Sequence, residues 1–406
     1  MIAQRPMTAL AVYTVSVAAD GETQERFSHA FRLALAAKVV TEGERSVDIL
    51  AGLLIYLAWT HHYMQRQQIY QYLSLLAGVA TDLGLYDQPP RQDVKDPTVA
   101  TELDRCFVGA YFLCSLVPPF AFNKHSPMRW TENLRICAEN ITRLGEFHTD
   151  RTLVALLELA TAVDDTQTIL EASLRPPISN TQAELQAKAA AQRLRALKRD
   201  HAPLASNATL AACLIDTQYK QICYNDNPDP SIMIQCACSA KDYFEDLMST
   251  PPATFHQLAI VDWILILHVA VLISKLSKQA ASATGWDHGA LTSMLQPSET
   301  MEKLLAHIAS ATVGDPLVPR HESLLQWLHH FIQNIKIAVL AGDIAGAGRQ
   351  MDGSDGRFRP MNSEATPLSS RLIPCQSQGS SQEPSLKSLS YGVLDHDFWR
   401  KLAVGG

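Results

Sequence analysis

The adjacent carboxylates Asp164 and Asp165, in the stretch VDDTQT, are the residues whose type and spacing come nearest to doing chemistry. Paired acidic side chains on a helix can hold magnesium against a diphosphate. That needs further carboxylates one turn on and a second acidic motif elsewhere. Position 168, three after Asp165, is a threonine, and no second acidic motif with matching Asn and Ser occurs. The pair reads as a solvated helix face. His61-His62 and His329-His330 are adjacent pairs, and neighbours on a helix diverge by ~100°. Neither pair can chelate one ion as an i, i+4 pair could, so both read as polar helix ends. Cys236-Ala-Cys238 is the closest pair among eight cysteines, and a zinc site needs four convergent ligands. There is no GxSxG, P-loop or GxGxxG context and no activated Ser or Cys nucleophile. The residues therefore assign no catalytic, cofactor-binding, metal or DNA-binding position, and no cofactor is expected.

The basic stretch Lys188, Arg193, Arg195, Lys198, Arg199 and His201 carries two readings. The plain one is an exposed helix face. The sharper one is a phosphate or nuclear-import patch.

The bulk numbers narrow the classes. The chain has 406 residues, 47% of them hydrophobic, which is enough for one large core or two packed halves. With 34 Lys and Arg against 41 Asp and Glu, the net charge is −7, which gives no electrostatic reason to grip a phosphate backbone. Cysteines at 106, 114, 137, 213, 223, 236, 238 and 375 are irregularly spaced, which suits scattered reduced thiols better than a disulfide framework. Met7–Ala19 has some features of an export signal, but its arginine is solitary and Pro6 suits the first turn of a helix. Leu258–Ile273 is interrupted by Asp262 and His268 and is shorter than the ~20 residues a bilayer needs. It is expected to be a buried helix, with no membrane partner.

The elements that must position these residues are helical. From Ser46, a good N-cap, Val47, Leu50, Leu53, Leu54, Leu57 and Ala58 form one apolar face. After the polar break His61–Gln68, Ile69, Leu73, Leu76, Val79, Ala80 and Leu83 repeat it, with Gly84 as the stop and Pro89-Pro90 beyond. These two helices should pack as an antiparallel hairpin. Phe27, Phe31, Ala34 and Leu35 mark a helix over 22–40. Glu102–Leu116 reads as a helix ended by Pro118-Pro119. Further helices are expected near 128–142, 151–173, 181–200, 206–224, 253–278, 297–310 and 317–341. The fold class is all-α: a large multi-helix domain of packed antiparallel helix pairs over 1–341. From 342 to 390 Gly, Ser, Gln and Pro dominate, the composition of a disordered linker. Residues 391–406 restore Leu394, Phe398, Trp399 and Leu402 at helical spacing, a short C-terminal helix that docks back on the core or meets a partner.

The segments RPMTALAVYTVSVAA, GERSVDILAGLLIYLAW, QRQQIYQYLSLLAGVATDLGL, ELDRCFVGAYFLCSLV and FNKHSPMRWTENL follow one another between Arg5 and Ile141. Their order, with Ala58-Trp59, Asp82–Leu85 and Arg129–Thr131 as landmarks, resembles the regulatory middle region of fungal binuclear-zinc-cluster transcription factors. The likeness is strongest to the secondary-metabolism branch and covers about a third of the chain closely. It implies an all-helical, nuclear regulatory domain that controls transcription, associated with dimerisation or ligand response, with no catalytic residues to carry over. The family's six-cysteine module has no counterpart among these eight cysteines, so zinc and sequence-specific DNA binding carry over to no residue here.

Three function classes follow. The leading one is a transcriptional regulator of a secondary-metabolite gene cluster, acting through protein contacts or truncated from a DNA-binding parent whose cluster is encoded upstream. Its expected partners are proteins, either a second copy or a DNA-binding family member. The second is a helical small-molecule sensor with an apolar cavity between helices. The third is an isoprenoid-type α-helical enzyme, which rests on Asp164-Asp165 and the buried-helix content alone.

Overall fold

Ser46 starts its helix as its residue type predicts, the hydroxyl accepting a hydrogen bond from the Ile49 N–H at 3.3 Å. The structure, a computed structural model, describes residues 4–17, 21–60, 66–87, 97–122, 124–173, 180–201, 208–224, 229–282, 293–312 and 332–333. The expected helix over 317–341, the linker at 342–390, the terminal helix at 391–406, His61-His62, His329-His330 and Cys375 fall outside them, apart from residues 332–333.

Twelve α-helices occur among the described residues, and no strand. They are α1 (Pro6–Ser16), α2 (Gly21–Leu35), α3 (Val47–Trp59), α4 (Arg66–Asp82), α5 (Pro97–Phe122) and α6 (Glu132–Leu144). There follow α7 (Leu153–Ser173), α8 (Asn180–Asp200), α9 (Ala208–Tyr224), α10 (Pro230–Ser249), α11 (Ile260–Ser282) and α12 (Pro297–Thr312). A π-helical turn, Ala36–Thr41, extends α2, and 3-10 turns lie at His148–Thr152 and Pro252–Gln257. The all-α expectation is met.

α5 is the hub of the N-terminal half, packing against α3, α4, α6 and α7, and it also touches α11. In the C-terminal half α9 plays that part, against α7, α8, α10 and α11. The apolar face read on α3 is buried at Val47, Leu50, Leu53, Leu57 and Ala58, and that on α4 at Leu73, Leu76, Val79 and Ala80. The two helices pack on each other. Gly84, at φ +66°, turns the chain after α4 in a left-handed conformation that suits glycine. The Leu85 carbonyl just beyond it accepts from the buried Asn133 Nδ2 at 2.7 Å.

α1 is fixed by α3 through two residues. Arg5, at its N-cap, makes no side-chain capping bond. The buried Asp48 of α3 does that work from outside, accepting from the Met7 and Thr8 N–H groups at 2.8 Å each. A carboxylate there satisfies two orphan donors and meets the positive end of the helix dipole. One turn on, Gly52 lets the two backbones meet: a Cβ there would lie 2.8 Å from the Met7 carbonyl carbon.

Three expectations change. α5 does not stop at Pro118-Pro119 but runs through them to Phe122. Prolines there free two carbonyls of the preceding turn, yet Leu116, Val117, Phe120, Ala121 and Phe122 are all buried, and that burial outweighs the lost bonds. The span 253–278 divides into the 3-10 turn and α11, with the Asp262 carboxylate accepting from the Ala259 N–H at 3.0 Å at the helix start. α10 was not anticipated, although Asp229 as N-cap followed by Pro230 announces it; the Asp229 side chain accepts from Ser231 N–H at 2.8 Å.

By length and composition α5 could also cross a membrane, since Thr98–Phe122 contains a window of mean hydropathy 1.4. That window is 78% buried inside the molecule, so α5 is placed here as a core helix.

Candidate functional site

Among the described residues, those singled out for chemistry are occupied with packing. Asp165 is exposed on α7 and pairs with Arg193 of α8 at 3.0 Å. Asp164, beside it, accepts from the Tyr111 hydroxyl of α5 at 3.4 Å. The two carboxylates thus point to different helices. Cys236 is buried, its thiol against the Ile215 carbonyl at 3.7 Å, whereas Cys238 is exposed with its sulfur 3.6 Å from Met294 Sδ. The pair diverges. Among the described residues no group of three or more His, Cys, Asp or Glu side chains is placed to hold a metal ion.

The basic stretch lies on α8. Arg193 is spent on Asp165, and Arg195 donates to Gln235 Oε1 at 3.1 Å. Lys188, Lys198 and Arg199 are exposed, and Gln192, Arg195, Lys198 and Arg199 line a shallow depression.

The structure also assembles a polar cluster that spacing alone did not single out. Asp216 and Lys220, one turn apart on α9, form an ion pair at 2.6 Å with little exposure. His268 of α11 closes it, with Nε2 2.8 Å from Asp216 Oδ1. Phe120, from the last turn of α5, packs edge-on against the His268 ring at 4.9 Å. Burial pushes the Asp216 carboxyl up, but the Lys220 charge and the His268 hydrogen bond outweigh it and hold the group below the usual carboxylate range. The other imidazole nitrogen, Nδ1, is buried without a hydrogen bond. The tautomer with hydrogen on Nε2 suits this, because an unbonded lone pair costs less than an unbonded N–H. With both Asp216 oxygens engaged, one by Lys220 and one by His268, and Phe120 packed on the imidazole, the cluster pins α5, α9 and α11 together. Its sequence signals were Asp216 and Lys220 at i, i+4 on an apolar helix, and His268 inside the run Leu258–Ile273.

Separately, α9, α10, α11 and the 3-10 turn Pro252–Gln257 line a cavity of about 180 Å³. Its apolar walls are Ala211, Leu247, Phe255, Leu258, Leu265 and Ile266. Thr209, Tyr243 and Asp262 supply polar atoms, and Lys198 and Asp246 stand exposed at the rim. This is concave, mostly apolar and sparsely polar, the make-up of a small-molecule pocket.

No family model matches the chain, and no solved structure matches it. Two fungal proteins do. Over 319 residues the chain is 22% identical to transcription factor opdL of Penicillium oxalicum, a stretch that covers 70% of this chain and 55% of opdL. Over 166 residues it is 24% identical to transcription factor himD of Aspergillus japonicus, covering 38% of this chain and 28% of himD. The chain spans about half the length of the first of these relatives. It is a distant relative of fungal transcription factors, consistent with the zinc-cluster regulator family, secondary-metabolism branch, that its first third resembles.

Proposed function

We propose that this chain is the helical regulatory part of a transcriptional regulator that works in the nucleus and governs a secondary-metabolite gene cluster. The observation that carries the reading is the 319-residue similarity to a protein named as a transcription factor. The reading is non-catalytic. In support, Asp164, Asp165, Asp216 and His268 each make a polar contact to a neighbouring helix. The proposed mode of action is through protein contacts, with a second copy or a DNA-binding relative as partner. Residues 1–341 form the domain in this reading, and 342–390 link it to a helix at 391–406.

The test is to fuse the chain to a heterologous DNA-binding module and read a reporter, alongside transcript profiling of a deletion strain. A changed reporter output and a coordinated change in one group of clustered genes are expected. An inert fusion, with an unchanged transcript profile in the deletion strain, would sink the reading. A second reading, a small-molecule sensor, is favoured by the cavity between α9, α10 and α11, where a ligand with differential affinity would bias the conformation of the domain.

A further inference from the structure

Three polar groups face the cavity with bonding capacity to spare. Tyr243 is 4% exposed, and among the described residues its hydroxyl makes no hydrogen bond. Thr209 is 7% exposed, at the start of α9. Asp262 is half-buried; one carboxylate oxygen accepts from its own helix start, and among the described residues no cation pairs with the other. The contrast with Asp216, which holds Lys220 and His268, is direct.

Burial pushes the Asp262 carboxyl up, with the Ala259 N–H pulling the other way. The Tyr243 hydroxyl is pushed up too, by burial and then by the Asp262 charge, and both residues line the same cavity. A carboxylate in an apolar-walled recess is costly without a partner. An ammonium supplies one. Its remaining protons can go to the oxygens of Thr209 and Tyr243, and its carbon body can lie on Leu265, Ile266 and the Phe255 ring. A carboxylate ligand would instead meet Asp262 with no cation inside, since Lys198 stands at the rim. As to size, a cavity of about 150 Å³ admits benzene, so this one takes a single ring or a body of similar bulk.

We propose that the cavity is a binding site for a small organic amine, a ring-sized apolar body bearing one ammonium that pairs with Asp262. This deepens the sensor reading, but the test reads binding by the purified chain and so stands apart from any reporter result. The chain is titrated by calorimetry and thermal shift with benzylamine, benzyl alcohol, toluene and benzoate. Benzylamine raises the Tm most, toluene and the alcohol less, and benzoate not at all. Asp262→Asn, whose amide oxygen can still accept from Ala259, weakens benzylamine by about tenfold or more, as expected for one hydrogen bond to a charged group. Ala211→Leu fills the cavity and abolishes binding of all of them. Benzoate binding as tightly as benzylamine, silence from every probe, or benzylamine binding that survives Ala211→Leu overturns the proposal. If Asp262→Asn fails to fold, the probe series and Ala211→Leu still decide it.

Discussion

Asp48 and Asp216 are both buried carboxylates between helices, and they are neutralised in different ways. Asp48 accepts from two backbone N–H groups of α1, so no countercharge is needed and the helix end itself is the partner. Asp216 has side chains on both oxygens, Lys220 from its own helix and His268 from α11. The first arrangement depends on backbone placement and tolerates little steric change. The second depends on three side chains, and losing any one strands the others in a dry place.

Truncation of the side-chain cluster should have the largest effect. Asp216→Ala leaves Lys220 and His268 without their acceptor and should lower stability by about 3 kcal/mol, read from denaturant unfolding. A loss smaller than that of Asp48→Asn would break the comparison. The cluster also has a pH signature. The folded-state carboxyl of Asp216 lies below its unfolded value, so its contribution is complete above the ordinary carboxylate pKa of about 3.9 and fades as pH falls below it. Unfolding midpoints of the wild type and Asp216→Ala should therefore converge as the pH drops.

Next comes Gly52→Ala, whose Cβ would meet the Met7 backbone at 2.8 and 2.9 Å, atoms that cannot swing aside. A cost of about 2 kcal/mol is expected, with faster protease cleavage around α1. Undisturbed proteolysis would show that α1 rides more loosely on α3 than the contact implies. Asp48→Asn keeps an acceptor but removes the charge and one of two equivalent oxygens; about 1 kcal/mol is expected by denaturant titration. At the small end, Arg135→Gln removes the exposed pairs with Glu132 and Glu139 on α6 and should leave the midpoint unchanged. A clear shift there would mean that surface charge matters more here than the buried carboxylates suggest.

How much of this was legible depended on whether the signal was periodic. Leu50, Leu53 and Leu57, or Leu73, Leu76 and Val79, repeat at helical spacing, and all are buried. Pro118 misled because its local rule is real but was outweighed by burial of Phe120 and Phe122, which only the tertiary packing supplies. α10 is signalled by Asp229-Pro230 and by Met233, Cys236, Ala237 and Ala240, a weaker apolar pattern than the continuous run of α11. His268 and Asp262 were visible as breaks in an apolar run. Which of them had a partner was not, because Asp216 lies 52 residues from His268 and helical spacing says nothing about a contact at that range. Gly52 likewise looked like any helical glycine until α1 was laid across it.

The prolines of α5 carry a consequence for the order of folding. A segment ending in Pro118-Pro119-Phe120 has little propensity to stay helical while solvated, because the bonds that would propagate the helix are missing. Its last turn is completed by neighbours distant in the chain, with Phe120 lying against His268 and near Lys220. The end of α5 should therefore form late, after α9 and α11 are in place. A nascent chain halted before α9 would then carry a finished N-terminal hub with one frayed end, waiting for the half of the protein that has not yet been made.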